Sequence, residues 1–225
     1  MPVQAVIFDA YGTLLDVNSA MAAHAADLGP QWPRISADWR AKQLEYSWVR
    51  SLTGPTHHED FWRCTRDALD LVLTRHGIRN ALLRDLLLDA YLRLDAYPEV
   101  PAVLRALRDA GIPAAILSNG SPWMLDNAIE AAGIGLLLEA VISVEEVGVF
   151  KPDPRVYALA CRQFGAAASQ MLYVSSNPWD AQAAVHHGFQ TLRINRDGSP
   201  DEYGLAAMLL DELPDLSRIP ELAGA

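Results

Sequence analysis

Cysteine is scarce in this chain: Cys64 and Cys161 stand far apart, outside any C-x-x-C spacing. That argues against a disulfide framework or a thiolate metal site, and two free thiols in the cytoplasm are the expected state. No apolar run approaches the ~18 residues of a membrane-spanning helix. No basic segment with a cleavage site precedes the first apolar run, so secretion is not expected. Positive charge is also short, with 18 Lys and Arg against 28 Asp and Glu and a formal net charge of −10. Nucleic acid or a membrane surface is therefore not expected as the main partner, although a local basic pocket stays open. Internal repeats and low-complexity tracts are missing. His24, His57, His58, His76, His186 and His187 fall outside the motifs below and show no ligand spacing with acidic residues, so they read as surface histidines.

What is present suits one large domain, or a core with a smaller appendage: 225 residues, 51% of them hydrophobic. The segment Met1 to Asp16 organises the rest. Val3, Ala5, Val6, Ile7 and Phe8 form a short apolar run that stops at Asp9, with Gly12 following in Ala10-Tyr11-Gly12-Thr13. A buried run closed by a turn signal reads as a core strand of a parallel sheet. In open α/β sheets ligands bind at the carboxyl ends of strands, which is where Asp9 falls. A carboxylate there can be a nucleophile, a metal ligand or a helix cap.

After Thr13 the pattern turns helical. Asn18-Ser19 can cap a helix over 21–28, and Gly29-Pro30 and Pro33 break it. A second helix starts at Ser36 and runs through Trp39, Leu44, Trp48 and Leu52 as an amphipathic stripe. A third spans 59–75 and a fourth 80–94, while Pro98 and Pro101 mark the return to the sheet. From there helices and strands alternate: helix 103–110, strand 113–117, helix 123–132, strand 140–143, a helix opened by Lys151-Pro152-Asp153 and running to Phe164, strand 171–174, helix 178–187 and strand 191–194. The tail, near 208–210 and 216–222, is weakly signalled. Such alternation means an α/β protein with a doubly wound, Rossmann-like parallel sheet. The expected division is a core of 1–15 and 97–225, with 16–96 inserted as a helical cap.

Strands then end in Asp9, in Ser118-Asn119 and in Ser175-Ser176-Asn177, while Lys151 stands at a helix start. Parallel strands bring their carboxyl ends to one edge, so these groups can converge. Their joint order, Asp9-Ala10-Tyr11-Gly12-Thr13, Ser118-Asn119-Gly120, Lys151-Pro152 and Ser175-Ser176-Asn177-Pro178-Trp179-Asp180, resembles the haloacid dehalogenase superfamily. Phosphatases of that superfamily look like Asp-x-Asp-Gly-Thr, with an acidic last motif that holds Mg²⁺. Here Tyr11 takes the place of the second Asp, and Ser175 and Asn177 take the places of metal-binding acids. A phosphoryl group without Mg²⁺ lacks its main charge stabiliser, so no metal and no phosphate chemistry are expected. The cap stretch from Ile35 to Tyr46, Leu117 to Pro122, Phe150 to Tyr157 and Val174 to Asp180 are similar to the L-2-haloacid dehalogenases (haloacid dehalogenase type II).

The resemblance implies hydrolysis of a short (S)-2-haloacid to the (R)-2-hydroxyacid and halide, without a cofactor. Asp9 displaces halide in line and forms an ester, Thr13 bonds the Asp9 carboxylate, and Lys151 orients it. Arg40, from the cap, suits a carboxylate or departing halide. Asn119 and the edge of Trp179 complete the halide cradle, and Ser118 with backbone N–H groups holds the substrate carboxylate. Asp180 with Asn177 orients or deprotonates the water that splits the ester, and Ser175 and Tyr157 support Lys151 and Asp180. Tyr11, Leu44, Phe61 and Trp179 form an apolar wall. The family also implies a homodimer. The chain departs from it at Ala41, where Gln is frequent, which removes an amide and some bulk near the expected pocket. The competing readings are a Mg²⁺-dependent small-molecule phosphatase and a binding protein that has lost turnover.

Overall fold

The computed structural model describes residues 3–225, so Met1 and Pro2, at the head of the segment 1–15, lie outside the described residues. Four apolar residues in a row cannot alternate between core and solvent, so the strand they form must be covered on both faces. β1 (Ala5–Phe8) is buried along its whole length. So are β2 (Ala114–Ser118) and β4 (Met171–Ser175), which pair with it in parallel on either side. β3 (Ala140–Ser143) extends the sheet beyond β2, and β5 (Gln190–Ile194) and β6 (Asp211–Leu213) extend it beyond β4. The result is a 6-stranded sheet of order β3-β2-β1-β4-β5-β6, with every recorded pairing parallel. Strand order runs outward in both directions from the β1/β4 pair. Right-handed crossovers then fall on opposite faces, and the switch point lies where β1 and β4 end.

Between β1 and β2 lies the helical insert: α1 (Ser19–Ala23), α2 (Ala25–Leu28), α3 (Trp32–Leu52), α4 (Phe61–Arg75) and α5 (Ala81–Leu92). α3 and α4 pack together through Trp39, Cys64, Ala68, Leu69 and Val72, all buried. Burying a side chain of this size contributes roughly 2–3 kcal/mol, and the one polar atom of Trp39 is satisfied because Nε1 donates to the Thr65 carbonyl at 2.9 Å. The crossover helices of the core are α6 (Val100–Asp109), α7 (Pro122–Ala132), α8 (Pro154–Phe164) and α9 (Pro178–His187), with α10 (Ile219–Ala223) at the end of the chain. Insert and core are joined by two strands of chain lying side by side: Asp16 N–H donates to Asp95 at 2.8 Å, Tyr97 N–H donates to Leu14 at 3.0 Å, and Leu15 bridges Ala96.

Several boundaries differ from the sequence reading. α3 begins at Trp32 instead of Ser36, because Pro33 occupies the first turn, where its missing N–H leaves no bond unmade. The helix expected over 21–28 is divided at His24. Asn18 makes no capping bond there; its side-chain oxygen accepts from Ser36 Oγ at 2.7 Å. α4 starts at Phe61, with Asp60 as its cap accepting from the Arg63 N–H at 2.9 Å. β6 forms in the weakly signalled tail. Among the described residues no helix is long and apolar enough to cross a membrane.

Candidate active site

The chain leaves β1 at Asp9 and turns sharply. Gly12, at φ 92°, adopts a left-handed conformation that a side chain would strain. The turn carries Asp9 and Thr13 to the sheet edge, where β2, β4 and the loop before α8 also arrive. Asp9 is 5% exposed and Lys151 and Asp180 are 0% exposed. Lys151 Nζ lies between the two carboxylates, 3.0 Å from Asp9 Oδ1 and 3.1 Å from Asp180 Oδ2. Asp9 Oδ2 accepts from Asn177 Nδ2 at 2.8 Å and from Thr13 Oγ1 at 3.2 Å. Thr13 Oγ1 in turn accepts the Ser176 N–H at 2.9 Å, which ties the turn after β1 to the end of β4.

Asp180 lies in the first turn of α9. Its carboxylate accepts from the Tyr157 hydroxyl at 2.6 Å and from the Tyr173 hydroxyl at 3.1 Å, and the adjoining Ser175 Oγ accepts the Asn177 N–H at 3.2 Å. Burial raises the Asp180 carboxyl above the ordinary carboxylate value, Lys151 pulls it down, and the charge of Asp9 pushes it up. Burial, then the charge of Asp180, lifts the Tyr157 and Tyr173 hydroxyls well above the usual phenol range, so both remain donors. Asn119 accepts the Lys151 N–H at 2.9 Å through its carbonyl oxygen, which leaves its amide N–H₂ as its donor end. Ser118 Oγ accepts from the Gly120 N–H at 3.1 Å and so braces the turn after β2.

From the insert, Arg40 Nη2 donates to the Tyr11 carbonyl at 3.3 Å, and Arg40 Nη1 is buried without a partner. A buried guanidinium N–H beside the turn after β1 suits an anion. The Tyr11 ring stacks on Tyr91 at 5.6 Å and packs near Phe61 at 6.2 Å. Leu44, one turn beyond Arg40, is half-buried. Trp179 stands edge-on to Trp48 at 5.6 Å and lines an outer groove of about 750 Å³ together with Phe150, Tyr157 and Leu52.

The structure thus brings Asp9, Thr13, Lys151, Tyr157, Ser175, Asn177 and Asp180 into one bonded cluster. Arg40 and Tyr11 adjoin it, while the recorded contacts of Trp179 face the groove. Ala41, next to Arg40 on α3, is exposed. A buried amide is instead supplied by Gln43, whose Nε2 donates to Thr65 Oγ1 at 3.1 Å. The histidine reading needs correction at four positions: His24 is half-buried 3.6 Å from Asp27, His187 is half-buried against Tyr157 and Phe189, and His58 and His76 are half-buried against distant acids. His58 Nε2 lies 3.0 Å from Glu145 and His76 Nε2 lies 2.8 Å from Asp38, pairs that the fold makes from residues far apart in sequence. Sequence reasoning missed Tyr173 and Arg196. Arg196 donates to the Thr13 carbonyl at 3.2 Å, pairs with Glu99 at 2.7 Å and lies 3.6 Å from the Tyr97 ring centroid.

The metal of the superfamily's phosphatases does not fit this donor set. Among the described residues no group of three or more His, Cys, Asp or Glu could hold a metal ion, and the Lys151 ammonium already bridges the two carboxylates that could have contributed.

The haloacid dehalogenase-like hydrolase family matches the chain over residues 3–188. The chain belongs to that family. Among these hydrolases it is 46% identical to (S)-2-haloacid dehalogenase 1 of Pseudomonas sp. (strain CBS-3), over 98% of this chain and 96% of that one. It is 42% identical to (S)-2-haloacid dehalogenase 4A of Burkholderia cepacia, over 91% of this chain and 88% of that one. The fold is similar to that of the L-2-haloacid dehalogenase from Xanthobacter autotrophicus with chloropropionic acid covalently bound. The TM-score is 0.84, at 36% identity and 98% coverage of both chains.

Proposed function

We propose that this hydrolase removes halide from short (S)-2-haloalkanoic acids and gives (R)-2-hydroxyalkanoic acids, with Asp9 as nucleophile and no metal. Asp9 Oδ1 carries one donor, Lys151, whereas Oδ2 carries Thr13 and Asn177. Oδ1 is therefore the freer oxygen for attack on the α-carbon. The C–O bond forms as the C–X bond breaks, the electron pair leaves with the halide, and the carbon inverts. Arg40, through its unpartnered Nη1, and the Asn119 amide supply N–H donors for the substrate's charges. Oδ2 becomes the ester carbonyl, still held by Thr13 and Asn177, donors that stabilise the negative charge developing there when water adds. Asp180 takes one proton as the water oxygen bonds to the Asp9 carbonyl carbon; the bond from that carbon to the alkoxide oxygen breaks, the alkoxide takes the proton back from Asp180 and leaves as the hydroxyacid with its new configuration, and the second water proton, left on the Asp9 carboxyl, passes to solvent.

The observation that carries this reading is the buried Lys151 bridge between Asp9 and Asp180. With Tyr11 where the phosphatases carry their second acid, and Ser175 and Asn177 where they carry metal-binding acids, the bridged pair favours carbon–halogen chemistry over phosphoryl transfer. The names of the relatives support the substrate class. Halide release from (S)- and (R)-2-chloropropionate, measured with chelator present, tests it. Release from the (S) form alone, with (R)-lactate as product, is expected. Retained configuration, or phosphate-ester cleavage that needs Mg²⁺, overturns it.

In this reading residues 16–96 form a cap that closes Arg40, Leu44 and Phe61 over the core of 1–15 and 97–225. Exposed Val49, Leu52, Leu82 and Leu86 on α3 and α5 support a homodimer through the cap, and a monomer mass by light scattering removes that part. The free thiols of Cys64 and Cys161 support a cytoplasmic, reducing location, which cell fractionation tests.

A further inference from the structure

The proposed chemistry leaves no task for Tyr173, yet this side chain touches both charges of the buried Lys151–Asp180 pair. Its hydroxyl lies 3.1 Å from Asp180 Oδ1 and 3.1 Å from Oδ2, so one proton is shared between both carboxylate oxygens. Its ring lies beneath the Lys151 ammonium, 5.4 Å from Nζ to the centroid, within the range of a cation–π contact. Period two along β4 puts Tyr173 and Ser175 on one face of the sheet, and Asp180 packs over that face.

The charged and titratable groups facing Asp180 come from each element around it: Lys151 from the loop before α8, Tyr157 from α8, Tyr173 and Ser175 from β4, and Asp9 from the end of β1. The Tyr173 ring also packs against two aromatic rings, Tyr157 at 5.7 Å and Phe189 at 5.3 Å. An ionised carboxylate offers about four acceptor positions. Oδ1 already has Tyr157 and Oδ2 has Lys151, so a hydroxyl shared by both oxygens restrains rotation of the group about its Cβ–Cγ bond. Each donor to a carboxylate also stabilises the anion and makes it a weaker base.

We propose that Tyr173 is a positioning residue: its ring and hydroxyl lock Lys151 and Asp180 in one geometry and keep Asp180 a weaker base than Lys151, Tyr157 and Ser175 alone would make it. This rests on the reading above in which Asp180 takes the proton of the hydrolytic water. The role differs from that of Tyr157, which bonds Oδ1 at 2.6 Å from a helix. Tyr173 sits on a central strand and engages the cation as well as the anion.

Tyr173→Phe keeps the ring and removes the donor. Two measurements read the consequence. In single turnovers with (S)-2-chloropropionate, the acid midpoint of the ester-hydrolysis rate rises by about 1–2 pH units relative to wild type, the worth of one hydrogen bond to a charged group. In the resting protein, the infrared carboxyl band of Asp180, assigned by its loss in Asp180→Asn, titrates higher by a similar amount, and this needs no turnover. Midpoints that stay put or fall in both measurements overturn the proposal, even if the rate drops uniformly at every pH, because a merely structural hydroxyl gives that pattern. Should wild type release no halide, the dehalogenase reading fails, while the infrared titration still decides the link between Tyr173 and Asp180.

Discussion

Lys151 is the side chain on which the site depends, because its ammonium is the cation within hydrogen-bond reach of both buried carboxylates, whose other partners are neutral donors. Its Nζ lies 3.0 Å from Asp9 and 3.1 Å from Asp180, and none of the three is more than 5% exposed. Removing one member of a buried ionic group costs about 3–5 kcal/mol, since the charge left behind is uncompensated. Lys151→Met is expected to lose that much stability at neutral pH by urea unfolding and to lose halide release altogether. A variant that keeps wild-type stability would show that the carboxylates are solvated or protonated. Most of this cluster was legible in the sequence, since Asp9, Lys151, Asn177 and Asp180 each follow a strand end or open a helix. Tyr173 was not, because an aromatic inside an apolar strand reads as core. The available signal was its spacing of two from Ser175, which sets both on one face.

Gly120, between β2 and α7, shows what a connecting turn contributes. A Cβ there would stand 3.0 Å from Tyr11 Cε2 and 3.1 Å from Leu125 Cδ2. The Tyr11 ring cannot yield freely, because it is stacked on Tyr91 at 5.6 Å. Gly120→Ala is expected to lower stability by about 1–2 kcal/mol through overpacking and to raise KM for 2-chloropropionate more than it lowers kcat, because the pocket wall moves and the Asp9–Lys151 pair does not. Equal changes in kcat and KM would place Tyr11 away from the substrate. Helices and strands at this scale were read from spacing with errors at their ends. Pro33 shows the cause: proline both breaks helices and opens them, and only the packing of Trp32 and Ile35 against the core decides which.

Across the whole molecule, Asp180 links the site to stability. Its folded-state carboxyl value lies above the ordinary 3.8, chiefly through burial. The folded protein therefore holds this proton more readily than the unfolded chain does. The group's contribution to stability is fully present below 3.8 and is lost as pH rises through the folded value. Urea midpoints measured from acid to neutral pH should fall less steeply through that window in Asp180→Asn than in wild type. An identical slope would mean that Asp180 titrates as an ordinary carboxyl.

The order of motifs along the chain, the alternation of strands and helices and the apolar strand leading to Asp9 were determined by sequence alone, because periodicity and turn chemistry are local properties. The strand order β3-β2-β1-β4-β5-β6 was decided only in three dimensions. So were the convergence of Asp9, Lys151, Tyr173 and Asp180, the pairing of His58 with Glu145, and the clamp of Arg196 on Thr13, Glu99 and Tyr97. Each joins residues far apart in the chain, and such contacts form because parallel strands deliver their ends to one edge of a sheet, a consequence of packing that no local pattern encodes.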